Sequence, residues 1–343
     1  MKTVANKNGA RAWKKVAAGV ITLVIAIAVV ACGGSSSDDS GTIDLVAYST
    51  PETLYQDSIE PAYQKTDDGS GVEFKNSFGG SGDQSRAVEA GLPADVVHLA
   101  LEPDVTRLVD AGIVADDWQQ QDDYNGIVQN SVVVFLVRAG NPKDIQDWDD
   151  LVRDDVEVLT PNPFTSGGAR WNIMAAYGAQ LAQGKSEDEA LDYLQQLFDN
   201  VPVQDKSASE ALATFTGGKG DVLLAYENEA LRAQDAGEDV EYVVPDDTIK
   251  IETPIAVTED ASDDAQSFVD YLFSPDGQRE FAEGGYRPVD PDVLAQYKDK
   301  FPTPPGLFTI DEFGGWDTVT DDFFDPESGS VAQIEQNLGV ATE

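Results

Sequence analysis

The chain has 343 residues, 41% of them hydrophobic and 9% aromatic, enough apolar side chain for one large or two medium cores and too much for a disordered chain. Its 63 Asp and Glu outnumber 22 Lys and Arg, which gives a surface that repels nucleic-acid phosphate and offers no polybasic patch to anionic lipid. One cysteine and one histidine exclude an intrachain disulfide and a Cys/His metal centre.

The charge is unevenly placed. Lys2, Lys7, Arg11, Lys14 and Lys15 fall in the first fifteen residues and no acid precedes Asp38, so the rest of the chain sets 17 basic residues against 63 acids, a balance of −46. Such a body is either simply well solvated or adapted to a salty exterior, where screening tames self-repulsion. Behind the basic segment, Val16–Ala31 is an apolar run closed by small residues, the pattern of a secretory signal peptide rather than a spanning helix. Val29-Val30-Ala31-Cys32 resembles the lipobox of bacterial lipoproteins. That resemblance implies cleavage before Cys32 and a diacylglycerol anchor on its thiol. Gly33 to Gly41, made only of Gly, Ser and Asp, is a flexible tether.

From Thr42 strand and helix alternate. Ile43–Tyr48 predicts a strand, with a helical stretch from Pro51. Val72–Lys75 is a strand before a helix over Asp83–Ala90, and Asp95–Ala100 a strand before a helix over Pro103–Ala111. Val132–Val137 and Val156–Thr160 are β-branched runs. Helices follow at Gly168–Leu181 and Glu187–Phe198, strands at Asp221–Tyr226 and Val240–Val244, and helices at Ser267–Phe273 and Gly277–Glu283. The interleaving predicts an α/β architecture with parallel sheets, and its length predicts two lobes. The tail from Phe301, rich in Pro, Gly and Asp, is expected to wrap the surface. His98, in the strand-like run Val96–Ala100, is expected to be structural.

Four places set small polar or glycine residues directly before a helix: Ser49-Thr50-Pro51-Glu52, Gly79-Gly80-Ser81-Gly82, Thr165-Ser166-Gly167-Gly168 and Ser207-Ala208-Ser209-Glu210. The first and last also carry the S-x-x-E spacing of a capping box. A helix start leaves unpaired N–H groups and a partial positive charge, and glycine lets an anion approach the backbone, so each is a candidate anion cradle. Periodicity does not show whether they converge. Rival chemistries lack their motifs. Gly79-Gly80-Ser81-Gly82-Asp83 misses the last glycine of a nucleophile elbow, and no Gly-Lys-Ser/Thr ends a phosphate loop. Paired carboxylates for glycoside hydrolysis stay open, because so many acids make chance pairs inevitable.

Three longer phrases carry a family likeness: Phe135 to Lys143, Ser166-Gly167-Gly168-Ala169-Arg170-Trp171-Asn172, and Gly220 to Ala230 with its Glu227-Asn228-Glu229-Ala230. With Thr160-Pro161-Asn162-Pro163, Tyr286-Arg287-Pro288 and Leu307 to Glu312, they resemble the sulfate-binding proteins of ABC importers, from about residue 43 to 335. The resemblance implies a two-lobed type II periplasmic-binding-protein-like fold hinged by two crossing segments. Lobe 1 would take residues 42–130 and 246–285, lobe 2 residues 131–245, and a C-terminal wrap residues 286–343. It implies capture of sulfate without a counter-cation, by backbone N–H groups at Ser49, Ser81, Gly167, Gly168 and Ala208 and by the Ser166 hydroxyl. The family's tryptophan donor falls on Tyr226, and its aspartate at the first site falls on Ser49. A phenol both donates and accepts, where an indole only donates. The implied partners are a permease pair with a cytoplasmic ATPase. A monomer is expected, with no cofactor, metal or covalent step. Thiosulfate, molybdate or tungstate are the alternative ligands, and a secreted hydrolase is the alternative class.

Overall fold

The computed structural model describes residues 41–340 and Thr342. The signal-like segment, Cys32 and all of the tether but Gly41 lie outside the described residues. Ten strands form one curled sheet: β1 (Thr42–Tyr48), β2 (Glu73–Gly79), β3 (Val96–His98), β4 (Ile127–Arg138), β5 (Val158–Leu159), β6 (Val222–Tyr226), β7 (Val240–Val243), β8 (Asp247–Val257), β9 (Arg287–Pro288) and β10 (Gly306–Phe308). The strand order is β2-β1-β3-β8-β4-β6-β5, with β10 added to β8, and β7 and β9 to β4.

The sheet is mixed, where interleaving alone predicts parallel pairing. β1 runs parallel to both β2 and β3, and β5 parallel to β6. β4 and β8 are antiparallel to each other and to their neighbours β6 and β3. The reason lies in the connections. Strands joined by a helical crossover come back parallel, whereas β4 and β8 carry the chain from one lobe to the other and back.

Each lobe has its own core. In the first, Leu45 and Val96 pack with Phe268, Leu272 and Phe281, while Val46 and Val97 face Val105 and Leu108 on the opposite side. That is the period-2 alternation of a sheet covered on both faces. In the second, Val133, Phe135 and Val137 face Trp148, Trp171 and Phe198, and Val132, Val134 and Leu136 face Phe215 and Leu223. Each such large side chain, fully buried, contributes roughly 1.5–3 kcal/mol. The change of core falls inside the crossing strands. Val128 belongs to the first core and Val133 to the second, and Ile251 to the second and Ile255 to the first.

The tail does more than wrap. Phe308, Ile310, Trp316, Val319, Phe324 and Ile334 are buried in the second core, the last from a helix over Ser330–Leu338. Its Pro, Gly and Asp mark turns between short elements rather than a surface strap.

Candidate functional site

The four helix starts meet. Ser49, Ser81, Ser166, Gly167, Gly168 and Ala208 all line one cavity of about 10 Å³, together with Tyr48, Thr50, Gly79, Gly80 and Ala100. None of these side chains carries a charge. Ser49 and Ser81 come from the first lobe, at the ends of β1 and β2, and Ser166 to Ala208 from the second. The cavity therefore lies in the cleft between the lobes, and the cleft is closed over it.

Each start is aimed by local chemistry. Asn162 forms the turn before the helix Gly167–Ala182: its side-chain Oδ1 accepts from Phe164 N (2.7 Å) and its carbonyl from Ser166 N (2.9 Å). Asn172 then pins that helix, donating to Thr160 Oγ1 (3.1 Å) and Leu224 O (3.0 Å). Trp171 Nε1 donates across the cleft to Ala100 O (2.8 Å). Ser166 is the N-cap, makes no side-chain capping bond and lines the cavity. Gly167 is required by space, since a Cβ there would lie 2.8 Å from Ala100 Cβ and Leu101 Cγ. Gly80 is required by the closed cleft, since its Cβ would meet Thr165 O at 2.5 Å.

The two expected capping boxes form only in part. Ser207 Oγ accepts from Glu210 N (3.2 Å), but the Glu210 carboxylate accepts from Lys206 N. At the first start the helical stretch begins at Glu52 with no side-chain cap, and its middle, Tyr55–Ile59, is π-wound. Ser49 Oγ instead accepts from Ser209 N (3.4 Å) of the other lobe. Closure thus gives that hydroxyl a partner which a local cap would have supplied.

Ser81 separates its two polar groups. Its hydroxyl donates to Asp104 Oδ2 (2.6 Å) and accepts from Ala100 N (2.8 Å), so only its N–H is left for the cavity. Asp104 is buried, which raises its pKa, and the nearby Arg170 guanidinium opposes that rise.

Tyr226 does not line the cavity but stands beside it, its Cε1 3.6 Å from the place of a Cβ on Gly168. The residue is 1% exposed, and its hydroxyl has no partner among the described residues. Burial, reinforced by the Glu229 carboxylate, pushes the phenol well above its ordinary pKa, so it keeps its proton as a donor. Thr50 is a lining residue that sequence reasoning misses. It is fully buried with Oγ1 unpartnered, and its one signal is its place between Ser49 and Pro51. His98 is structural, as expected. Its ring nitrogens lie 2.8 Å from Tyr55 Oη and 3.2 Å from Thr253 Oγ1, and burial drives its pKa down to about 3.

A larger hollow, of about 810 Å³, borders the cleft elsewhere. Arg86, Arg107 and Arg170 line it, but so do Glu89, Asp104, Asp110, Asp317, Asp321 and Asp325. Size favours this hollow, but convergence of helix starts favours the small one, and only the small one is enclosed by main-chain donors without charge.

Comparison with known proteins agrees with the geometry. The profile of the family described as bacterial extracellular solute-binding protein matches residues 43–287. A sulfate-binding protein of Synechococcus elongatus is 41% identical over 329 residues, covering 90% of this chain and 93% of that one. A thiosulfate-binding protein of Pseudomonas aeruginosa is 36% identical over 288 residues, covering 80% and 86%. Among solved structures, the sulfate-binding protein SubI of Mycobacterium tuberculosis has 43% identity and a TM-score of 0.80, covering 83% of this chain and all of that one.

Proposed function

This chain belongs to the bacterial extracellular solute-binding proteins, and on that premise we propose that it is the sulfate-capturing component of an ABC importer. The observation that carries the reading is the uncharged cavity at which four helix starts converge between two lobes. Taken as the space open to the centre of a water, its volume corresponds to a hole roughly 2.7 Å in radius. That suits a tetrahedral oxyanion and is too small for a sugar or peptide.

The ligands are the N–H groups of Ser49, Ser81, Gly167, Gly168 and Ala208, the Ser166 hydroxyl and the Tyr226 phenol. A helix start contributes about 0.3–1 kcal/mol toward an anion, and up to about 2 when partly buried. Closure removes water and strengthens each bond. The excess surface acids do not oppose this strongly, because charges beyond about 8 Å are largely screened in physiological salt. Donors alone also select. Sulfate is fully ionised and accepts at every oxygen, while phosphate keeps a proton whose burial without an acceptor costs about 1–3 kcal/mol. No covalent step or cofactor enters.

β4 and β8 are the hinge, with lobe 1 over 42–130 and 246–285, lobe 2 over 131–245, and a C-terminal wrap over 286–343. Cys32 carries the lipid that holds the monomer outside the membrane, where the closed lobes dock on a permease pair driven by a cytoplasmic ATPase. Thiosulfate is the second reading, favoured by the thiosulfate-binding relative. The test is calorimetry of the mature protein against sulfate, thiosulfate, molybdate and phosphate. Sulfate should bind tightest, and a preference for any other of the four sinks the assignment.

A further inference from the structure

We propose that Thr50 supplies a second aliphatic hydroxyl to the bound anion and so helps set its affinity. The inference rests on reading the cavity as an oxyanion site and names a ligand that the family likeness does not assign. Thr50 is 0% exposed and lines the cavity, and its Oγ1 has no hydrogen-bond partner among the described residues. A buried hydroxyl without a partner is costly and calls for an explanation. Here the explanation stands next to it: the cavity it lines is where an acceptor-only anion sits.

The backbone around Thr50 is held for the task. Pro51 follows and restricts Thr50 to extended conformations. From the other lobe, Arg232 Nη1 donates to Thr50 O (2.5 Å). Among the described residues Arg232 makes no ion pair with a carboxylate within 4.0 Å, although acids abound. Its guanidinium is turned instead to this carbonyl, one residue from Ser49. Closure thus clamps the Thr50 peptide at the moment the anion is enclosed. Arg232 acts on the anion only through Thr50 and is a positioning residue.

The bland alternative is a threonine that merely fills space, its methyl packed and its hydroxyl idle. Affinity separates these two roles, and melting temperature separates both from a hydroxyl that holds the fold. Replacing an idle or ligand-facing hydroxyl by a methyl removes an unsatisfied buried group, so Thr50→Val should melt at the wild-type temperature or higher. If the hydroxyl instead holds the protein together, Thr50→Val should melt lower.

Isothermal calorimetry and thermal melts on the mature chain test this, with sulfate, thiosulfate and molybdate each titrated into wild type, Thr50→Val and Thr50→Ser. The expected result is about a tenfold loss of affinity in Thr50→Val without loss of melting temperature, and near wild-type binding in Thr50→Ser. The effect should hold for whichever of the three anions wild type binds best. Unchanged affinity in Thr50→Val overturns the proposal and leaves the oxyanion site standing, and so does a loss shared by affinity and melting temperature. A wild type that binds thiosulfate or molybdate in place of sulfate refutes the sulfate assignment alone. A wild type that binds none of the three refutes both.

Discussion

Two hollows border the cleft, and the Asp104 carboxylate serves both: it lines the wide one and accepts from Ser81 at the wall of the small one. The wide hollow has three guanidiniums and six carboxylates, and the small one has no charge at all. The difference teaches where anion affinity comes from in this acidic chain. A guanidinium placed among acids is neutralised by them, as Arg107 is by Glu89 at 3.6 Å. A main-chain N–H at a helix start has no counter-ion and cannot titrate. On the proposed reading fixed dipoles, not charges, hold the anion, and the sharpest break of the comparison is to block the dipoles. Gly167→Val puts branched carbon where even a Cβ would sit 2.8 Å from Ala100 and Leu101. Calorimetry should show a loss of at least about a hundredfold in sulfate affinity, close to 3 kcal/mol of overpacking. Wild-type affinity would move the anion out of this cavity.

Smaller losses should come from the two side-chain donors. Ser166→Ala removes a hydroxyl not engaged in capping and should weaken sulfate by about 1.5–3 kcal/mol, the range for a hydrogen bond to a charged group. Tyr226→Phe should lose an amount at the lower end of the same range, since Tyr226 stands beside the cavity and is not one of its lining residues. A phenylalanine variant with normal sulfate affinity makes Tyr226 a packing residue. If Tyr226→Phe instead discriminates more sharply against phosphate, the accepting side of the phenol was admitting the protonated ion.

Much of this comparison is legible in the amino-acid sequence alone. Ile43–Tyr48, Asp83–Ala90, Gly168–Leu181 and Glu187–Phe198 differ from the observed elements by at most two residues at each end, because apolar periodicity and glycine punctuation are local signals. The second crossing strand, β8, escapes such reading. Its Glu252-Thr253-Pro254 interrupts the apolar run, and a proline inside a strand argues against one. Pro254 is tolerated where β8 meets the irregular start of β4, next to the shift in register between Ile127 and Gln129. The polar first half of β4, Gln129-Asn130-Ser131, escapes for a related reason: it sits in the hinge, where Gln129 and Ser131 are buried by bonding Tyr48 and Asn228. At the site, the four starts are visible one by one, but their meeting is a property of the sheet order. Thr50 offers nothing beyond its place beside Ser49, because an unpartnered hydroxyl is defined only by its surroundings.

The cavity's one titratable lining side chain, Tyr48, is pushed by burial well above its ordinary pKa, which separates binding from stability as pH changes. His98 ionises only near 3 and the Tyr226 phenol only well above 10, so sulfate affinity should stay flat between about pH 5 and 9. Stability should not. Glu335 is fully buried at the seam between the C-terminal helix and the loop leading to Ala208, with one bond from Gln204 Nε2 (2.8 Å) and Oε1 unpartnered. Burial raises its pKa from 4.5 to about 7. The folded chain therefore keeps a proton that the unfolded chain releases, and acid favours the fold. This contribution is complete below about pH 4.5 and lost above about pH 7, on the order of 1–3 kcal/mol. Glu335→Gln should raise the melting temperature at pH 8 and change it little at pH 4.5. Equal shifts at both pH values would deny the buried charge.

The smallest effect is the one most dangerous to the comparison. Arg107 lines the wide hollow, its side chain 40% exposed, its partner Glu89 46% exposed. If positive charge near the cleft draws in the anion, Arg107→Gln should weaken sulfate binding, because the body carries so large an excess of acids that each cation counts. If dipoles do the binding, the change should lie within about twofold. The pair is solvent-exposed, and such pairs are worth about 0–1 kcal/mol even to each other. Its influence on an ion enclosed elsewhere in the cleft is screened further. The variant does release the Glu89 charge, so Glu89→Gln/Arg107→Gln is the cleaner version: net charge is then unchanged and only the guanidinium is missing. Both should leave the calorimetric affinity near wild type at about 0.15 M salt, where the Debye length is about 8 Å. An affinity that falls severalfold in the double variant would show that the charged hollow takes part in capture and that helix dipoles alone do not hold the anion.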